Sequence, residues 1–83
     1  MSIEKTLKQR EKTHGKFKTH AQISQELKSV LWKHGYQELT PDQCEALEMI
    51  CHKIARILNG NANTHDHWHD IAGYSTLVAE ELK

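Results

Sequence analysis

The sequence contains few proline, cysteine or aromatic residues. The scarcity of proline and of cysteine each excludes a class of protein. Among its 83 residues, one is proline, two are cysteine and five are Phe, Trp or Tyr. One proline excludes a collagen-like or proline-rich chain, and two cysteines are too few for a disulfide scaffold. No apolar run is long enough to cross a membrane, and residues 1–10 lack the hydrophobic region of a signal peptide. We therefore expect a cytoplasmic protein with no membrane partner.

The two cysteines are expected to be free thiols. Cys44 and Cys51 stand seven residues apart in a strongly helical segment, which separates them by roughly 10 Å along the helix axis. That distance is too long for a disulfide between them. They are best interpreted as small core residues of a protein in a reducing compartment.

The formal net charge of the chain is zero, because eleven basic residues balance eleven acidic ones. Residues 1–34 hold eight of the basic residues and only three acidic ones. Such a segment can contact phosphate or an acidic partner, but it has one aromatic residue before Trp32 and no nucleic-acid-binding motif. A solvated helical face is the favoured interpretation, and a nucleic-acid partner is not expected.

Hydrophobic periodicity and capping residues predict four helical segments. Ser2 is a candidate cap for a first helix over residues 3–12. A second helix over residues 17–34 has apolar side chains at positions 23, 27, 30 and 31, and Gly35 would end it. Thr40, Pro41 and Gln43 begin a third helix that closes at residues 59–60. Thr64 is a plausible cap for the fourth.

We therefore predict an all-α fold, a bundle of three to four helices in one domain over residues 1–83. Residues 1–15 would be a basic segment that is either weakly structured or helical. An 83-residue chain with few apolar residues needs help to complete a core, and pairing with a second copy is the expected way. We therefore predict that the chain forms a homodimer.

Two pairs of carboxylates fall on neighbouring predicted helices. Glu45 and Glu48 are one turn apart on the third helix, and Asp66 and Asp70 are one turn apart on the fourth. Four such oxygen ligands suit Mg²⁺ or Mn²⁺. The third helix would place Glu45 and Glu48, with His52, Arg56 and Asn59, opposite an apolar stripe of Leu47, Ile50, Cys51, Ile54, Ile57 and Leu58. The alternative is a solvated helical face with ordinary ion pairs.

The stretch HDHWHDIAGY, residues 65–74, combines histidines, aspartates and a tryptophan. His65, His67 and His69 alternate, so on a helix they do not converge on one zinc ion. Trp68 would either stack on a base or belong to the core or an interface. Gly73 costs roughly 1 kcal/mol relative to alanine inside a helix, which indicates close approach of another backbone or a ligand.

Two segments carry a resemblance to a known family: EALEMICHKIARILNGN (residues 45–61) and DHWHDIAGYSTL (residues 66–77). With GKFKTHAQISQELKSVLW (residues 15–32) they resemble small phage and prophage proteins of unassigned function. Those proteins in turn are similar to a short form of the MazG-type nucleoside triphosphate pyrophosphohydrolases. The resemblance implies an all-α, Mg²⁺-dependent enzyme that assembles through helix pairing and cleaves nucleoside triphosphates to monophosphate and pyrophosphate.

The MazG-type pattern is ExxE on one helix and ExxD on the next. Glu45 and Glu48 match the first; in the second, Asp70 matches, His67 stands where Glu is expected and Asp66 is a possible substitute. The resemblance thereby implies these roles: Mg²⁺ or Mn²⁺ on Glu45, Glu48, Asp66 and Asp70, catalysis by Glu48 and Asp70, phosphate binding by Lys53 or Arg56, and nucleoside stacking or an interface role for Trp32 or Trp68.

Two functions remain open on the sequence. The carboxylates favour a MazG-like hydrolase acting on a nucleoside triphosphate. The small size, the phage-like resemblance and the altered second motif favour a non-catalytic accessory protein that binds a host or defence protein. Fold class does not decide between them.

Overall fold

Helices make up almost all of the chain in the computed structural model, which describes residues 2–83. They are α1 (Ile3–His14), α2 (Phe17–Lys33), α3 (Pro41–Asn59) and α4 (His65–Glu81), with a 3-10 turn at Tyr36–Glu38 before α3. Residues 2–83 contain no β-strand, so the all-α prediction is confirmed. Within the same residues, none of the helices combines the length and the apolar character needed to cross a membrane.

Local capping explains where the helices begin. The Thr40 side chain accepts from the backbone N–H of Gln43, and the Gln43 side chain accepts from the backbone N–H of Thr40. This capping box precedes Pro41, whose missing N–H costs nothing in the first turn. Ser2 likewise caps α1 through the N–H of Lys5. Thr64 occupies the cap position of α4 as predicted, but its side chain makes no capping hydrogen bond.

Helix α3 is the central element, and the other three helices pack around it. The buried apolar side chains are small and all belong to α3: Ala46, Cys51 and Ala55. The predicted apolar stripe is therefore only partly right, because Cys51 is buried whereas Leu58 is 67% exposed. A helix with neighbours on several sides has no single apolar face, so polar residues are buried beside the apolar ones.

The turn between α1 and α2 is fastened to the end of α3. The side-chain amide of Asn59 donates to the backbone oxygens of His14 (3.1 Å) and Lys16 (2.9 Å). The backbone N–H of Asn61 donates to the Thr13 oxygen at 2.9 Å. We call this contact between residues 13–16 and 59–61 the helix joint. Because α1 itself buries no residue, the joint is what positions it.

Candidate functional site

The carboxylates predicted as metal ligands lie at separate places along α3 and α4. Glu45 is exposed and lines an open pocket of about 570 Å³ with Asp42 and Glu81. Asp66 is exposed in the first turn of α4, 3.4 Å from the ring of His65. Among residues 2–83, no three His, Cys, Asp or Glu side chains are grouped closely enough to bind a metal ion. One chain by itself does not bring the four carboxylates together.

Glu48 is directed toward α2 and the 3-10 turn. Its carboxylate accepts a hydrogen bond from the Tyr36 hydroxyl and lies 3.8 Å from the ammonium of Lys28. The hydrogen bond to Glu48 is the largest cause of a raised pKa at Tyr36, so the phenol stays protonated. Cys44 adds to this contact by donating from Sγ to the Tyr36 backbone oxygen. Glu48 thus has a structural role linking α3 to α2.

Asp70 is paired with Lys53 across the α3–α4 interface. The Lys53 ammonium lies 3.1 Å from Asp70 Oδ2, and Lys53 as a residue is only 7% exposed. The hydrogen bond from Lys53 is the largest cause of a lowered pKa at Asp70. A buried ammonium requires such a partner. In this chain Lys53, one of the two predicted phosphate-binding residues, is already neutralised.

The remaining predicted site residues lie on different surfaces. Arg56 lines a pocket where α1, α2 and α3 meet, and its charge contributes to the lowered pKa of Asp70. Trp32 is 46% exposed near the end of α2, and Trp68 is 56% exposed at the start of α4. The Trp68 indole N–H donates to the backbone oxygen of Ala62 at 2.8 Å, so this side chain braces the loop between α3 and α4.

His67, which stands at the altered position of the second motif, is a buried structural residue. It is 2% exposed, and its Nε2 lies 3.0 Å from the Thr13 backbone oxygen, to which it donates. Its ring is 5.2 Å from that of His14. The one signal in the sequence that separates His67 from His65 and His69 is that a helix places them on different sides. Those two rings stack on each other at the surface, 5.4 Å apart.

Lowering the pH from about 7 to about 5 is expected to destabilise the fold. Burial, followed by Arg56, His67 and Arg10, lowers the pKa of His14 from its usual 6.5 to about 4. Burial is also the first cause of lowered pKa values at His20 and His52. Below about pH 6.5 these histidines bind protons in the unfolded chain but stay neutral in the folded chain. The free energy of unfolding therefore falls as the pH drops from 6.5 toward 4.

Urea denaturation at several pH values measures this effect. The midpoint should be highest above pH 6.5 and fall steadily below it, and His14→Gln should reduce the slope. A midpoint that is unchanged between about pH 7 and about pH 5 would contradict the burial of these three histidines.

Comparison with known proteins identifies one family. Residues 2–82 match the model of the family described as Domain of unknown function (DUF6378). No curated protein and no solved structure gave a match to this chain. Since the match covers nearly all of its length, the chain belongs to the DUF6378 family.

Proposed function

We propose that this chain is a homodimeric binding protein that catalyses no reaction and acts by holding another protein. The pairing of Glu48 and Asp70, the two residues with expected catalytic roles, carries the proposal. Glu48 lies against Tyr36 and Lys28, and Asp70 lies 3.1 Å from Lys53. A divalent ion would have to displace a lysine from each carboxylate before binding it, which opposes a shared metal site.

The dimer is supported by the large surface of the single chain. A globular monomer of 9.6 kDa exposes about 5,100 Å², whereas this chain exposes 6252 Å². Its radius of gyration is 14.2 Å, against about 12 Å for a compact domain of this length. The excess, roughly 1,150 Å², is more than the about 800 Å² that each partner buries in a standard protein–protein interface.

The side of α4 that carries Gly73, Tyr74, Leu77 and Glu81 is the proposed contact between copies; we call it the Leu77 face. Leu77 is 67% exposed and stands between two open pockets of about 570 and 550 Å³. A Cβ placed on Gly73 would meet nothing within 4 Å in the same chain. The close approach expected at Gly73 is therefore available to a second copy, whose Leu77 would enter the pocket beside it.

The opposite end of the molecule provides a surface for a different protein. Ile3 is 72%, Leu7 54% and Phe17 80% exposed, in a segment rich in lysine. Exposed apolar side chains among cations fit a partner with an acidic, partly apolar surface. The resemblance to phage and prophage proteins makes a host or defence protein the proposed partner, and the free thiols of Cys44 and Cys51 fit a cytoplasmic one.

A MazG-like pyrophosphohydrolase is the second candidate, and the pocket beside Leu77 favours it. Asp42, Glu45 and Glu81 all line that pocket, and pairing through α4 would bring the acidic residues of two copies closer. These carboxylates would hold Mg²⁺ or Mn²⁺, and the ion would supply Lewis-acid chemistry for the cleavage of a nucleoside triphosphate. Asp42 and Glu81 would then add to the ligands that the sequence motif assigns to α4, Asp66 and Asp70.

Asp70→Asn separates the two functions. In the binding protein it removes the partner of a buried ammonium, so the melting temperature should fall with no enzymatic activity to lose. In the hydrolase it should abolish pyrophosphate release as well, because Asp70 would be a metal ligand. Glu45→Gln is the matched control, because Glu45 is exposed and unpaired in residues 2–83.

The measurements are thermal melting with and without Mg²⁺ or Mn²⁺ and pyrophosphate release across a panel of NTPs and dNTPs. We expect no release, no metal-dependent shift in melting, a lower melting temperature for Asp70→Asn and little change for Glu45→Gln. If the wild-type chain releases pyrophosphate in the presence of metal and either variant loses this activity, the hydrolase would be the supported function and the binding protein would not.

A further inference from the structure

The pocket lined by Arg56 has the composition of an anion site. It has a volume of about 370 Å³ and lies where α1, α2 and α3 meet. Arg10 and His14 of α1, His20 of α2, and His52 and Arg56 of α3 provide its polar wall. Leu7 and Phe17, 54% and 80% exposed, form an apolar rim on its open side.

The charges in this pocket are not balanced within the protein. Neither Arg10 nor Arg56 forms an ion pair or side-chain hydrogen bond with any of residues 2–83. Glu11 is the one carboxylate in the lining, so two guanidinium groups exceed it by one positive charge. Both arginines lower the pKa of His14, which places their positive potential at the pocket wall. Unpaired arginines beside a concave surface attract phosphate, which they can bind in a bidentate manner.

His20 provides an independent sign of a ligand. It is only 8% exposed, and its Nδ1 makes no hydrogen bond within residues 2–83. Its ring contacts those of Phe17 (6.1 Å) and His52 (5.7 Å), so it is held at the pocket by neighbours that do not satisfy its nitrogen. A buried polar atom without a partner is uncommon in folded proteins and requires an explanation.

We infer that the pocket between α1, α2 and α3 binds a phosphate group, with Arg10 and Arg56 as its charged donors and His20 as a neutral donor. The His20 ring lines the pocket, and its imidazole would donate an N–H to a phosphate oxygen. The apolar rim of Leu7 and Phe17 would contact the organic part of a phosphate monoester. The pocket shares Leu7 and Phe17 with the proposed partner surface, but it contains none of the paired carboxylates, and binding of phosphate to it requires no partner protein.

Titration with inorganic phosphate, AMP and adenosine, followed by ¹H–¹⁵N NMR and calorimetry, tests the site. We expect phosphate and AMP to saturate it and to shift the signals of His20, His52 and Arg56, while adenosine does not bind. The double variant Arg10→Ala/Arg56→Ala should weaken binding of both ligands at least about tenfold. Lys12→Ala removes a charge from α1 outside the pocket and should leave binding nearly unchanged.

The comparison of ligands identifies the source of the phosphate. Tighter binding of AMP than of phosphate would assign a phosphate monoester, and equal binding would assign free phosphate; either result supports the site. Absence of saturable phosphate binding by the wild-type chain would overturn the inference. So would equal weakening by Lys12→Ala and the arginine variants, since that would indicate attraction by overall charge. Far-UV circular dichroism of each variant verifies that the helices are retained.

Discussion

Replacing Gly60 by alanine is expected to lower the free energy of unfolding by about 3 kcal/mol, through overpacking and loss of a backbone hydrogen bond. A Cβ at this position would overlap the Thr13 backbone oxygen and lie 2.6 Å from the His14 carbonyl carbon. Backbone atoms do not rotate aside as a flexible side chain does, so the helix joint must separate. The hydrogen bond from the Asn61 N–H to Thr13 would be lost with it. Urea denaturation measures the change.

Gly35→Ala is the control that separates this contact from backbone strain. Gly35 has φ 88, in the left-handed region, but a Cβ there would meet nothing within 4 Å. Its substitution should cost about 1 kcal/mol. Gly60 has φ -117, which any residue adopts. If Gly35→Ala proves more destabilising than Gly60→Ala, the close docking of α1 on the end of α3 is wrong.

The helices were predictable because their signals are local. Thr40, Pro41 and Gln43 specify the start of α3 within four residues, and the observed helix begins and ends where the sequence indicated. Residues 3–12 were a weaker prediction because few apolar residues support them, and α1 does form there without burying a side chain.

Burial was harder to predict because it depends on contacts between residues far apart in the sequence. His67 contacts Thr13 across 54 positions, and Asn59 contacts Lys16 across 43. Periodicity on one helix contains no information about either pair. The face of α3 with Glu48, His52 and Arg56, for which a solvated surface was the alternative prediction, is half-buried, because α1 and α2 pack against it.

In the candidate site, too, local positions were predictable and contacts between helices were not. The sequence located the carboxylates on neighbouring helices, but it could not show that Glu48 meets Lys28 and that Asp70 meets Lys53. It identified Arg56 as a phosphate ligand only through a resemblance. Apart from His52, its neighbours in the pocket belong to α1, α2 and the turn between them, and they had no sequence signal.

Replacing Leu77 by aspartate is expected to separate two copies of the chain. The side chain lies at the middle of the proposed contact, and two-fold pairing places the same residue of both copies near each other. Introducing two carboxylates there should raise the dimer dissociation constant about 30-fold or more, as for an interface hot spot. Leu58→Asp is the matched control, because Leu58 is also 67% exposed but lies on α3, outside the Leu77 face.

Sedimentation equilibrium of the wild-type chain at micromolar concentrations tests the proposed dimer most directly. We expect a mass of twice 9.6 kDa for the wild-type chain and for Leu58→Asp, and a mass close to that of one chain for Leu77→Asp. A wild-type chain that sediments as a stable monomer at high micromolar concentration would contradict the proposal that the Leu77 face is the contact between copies.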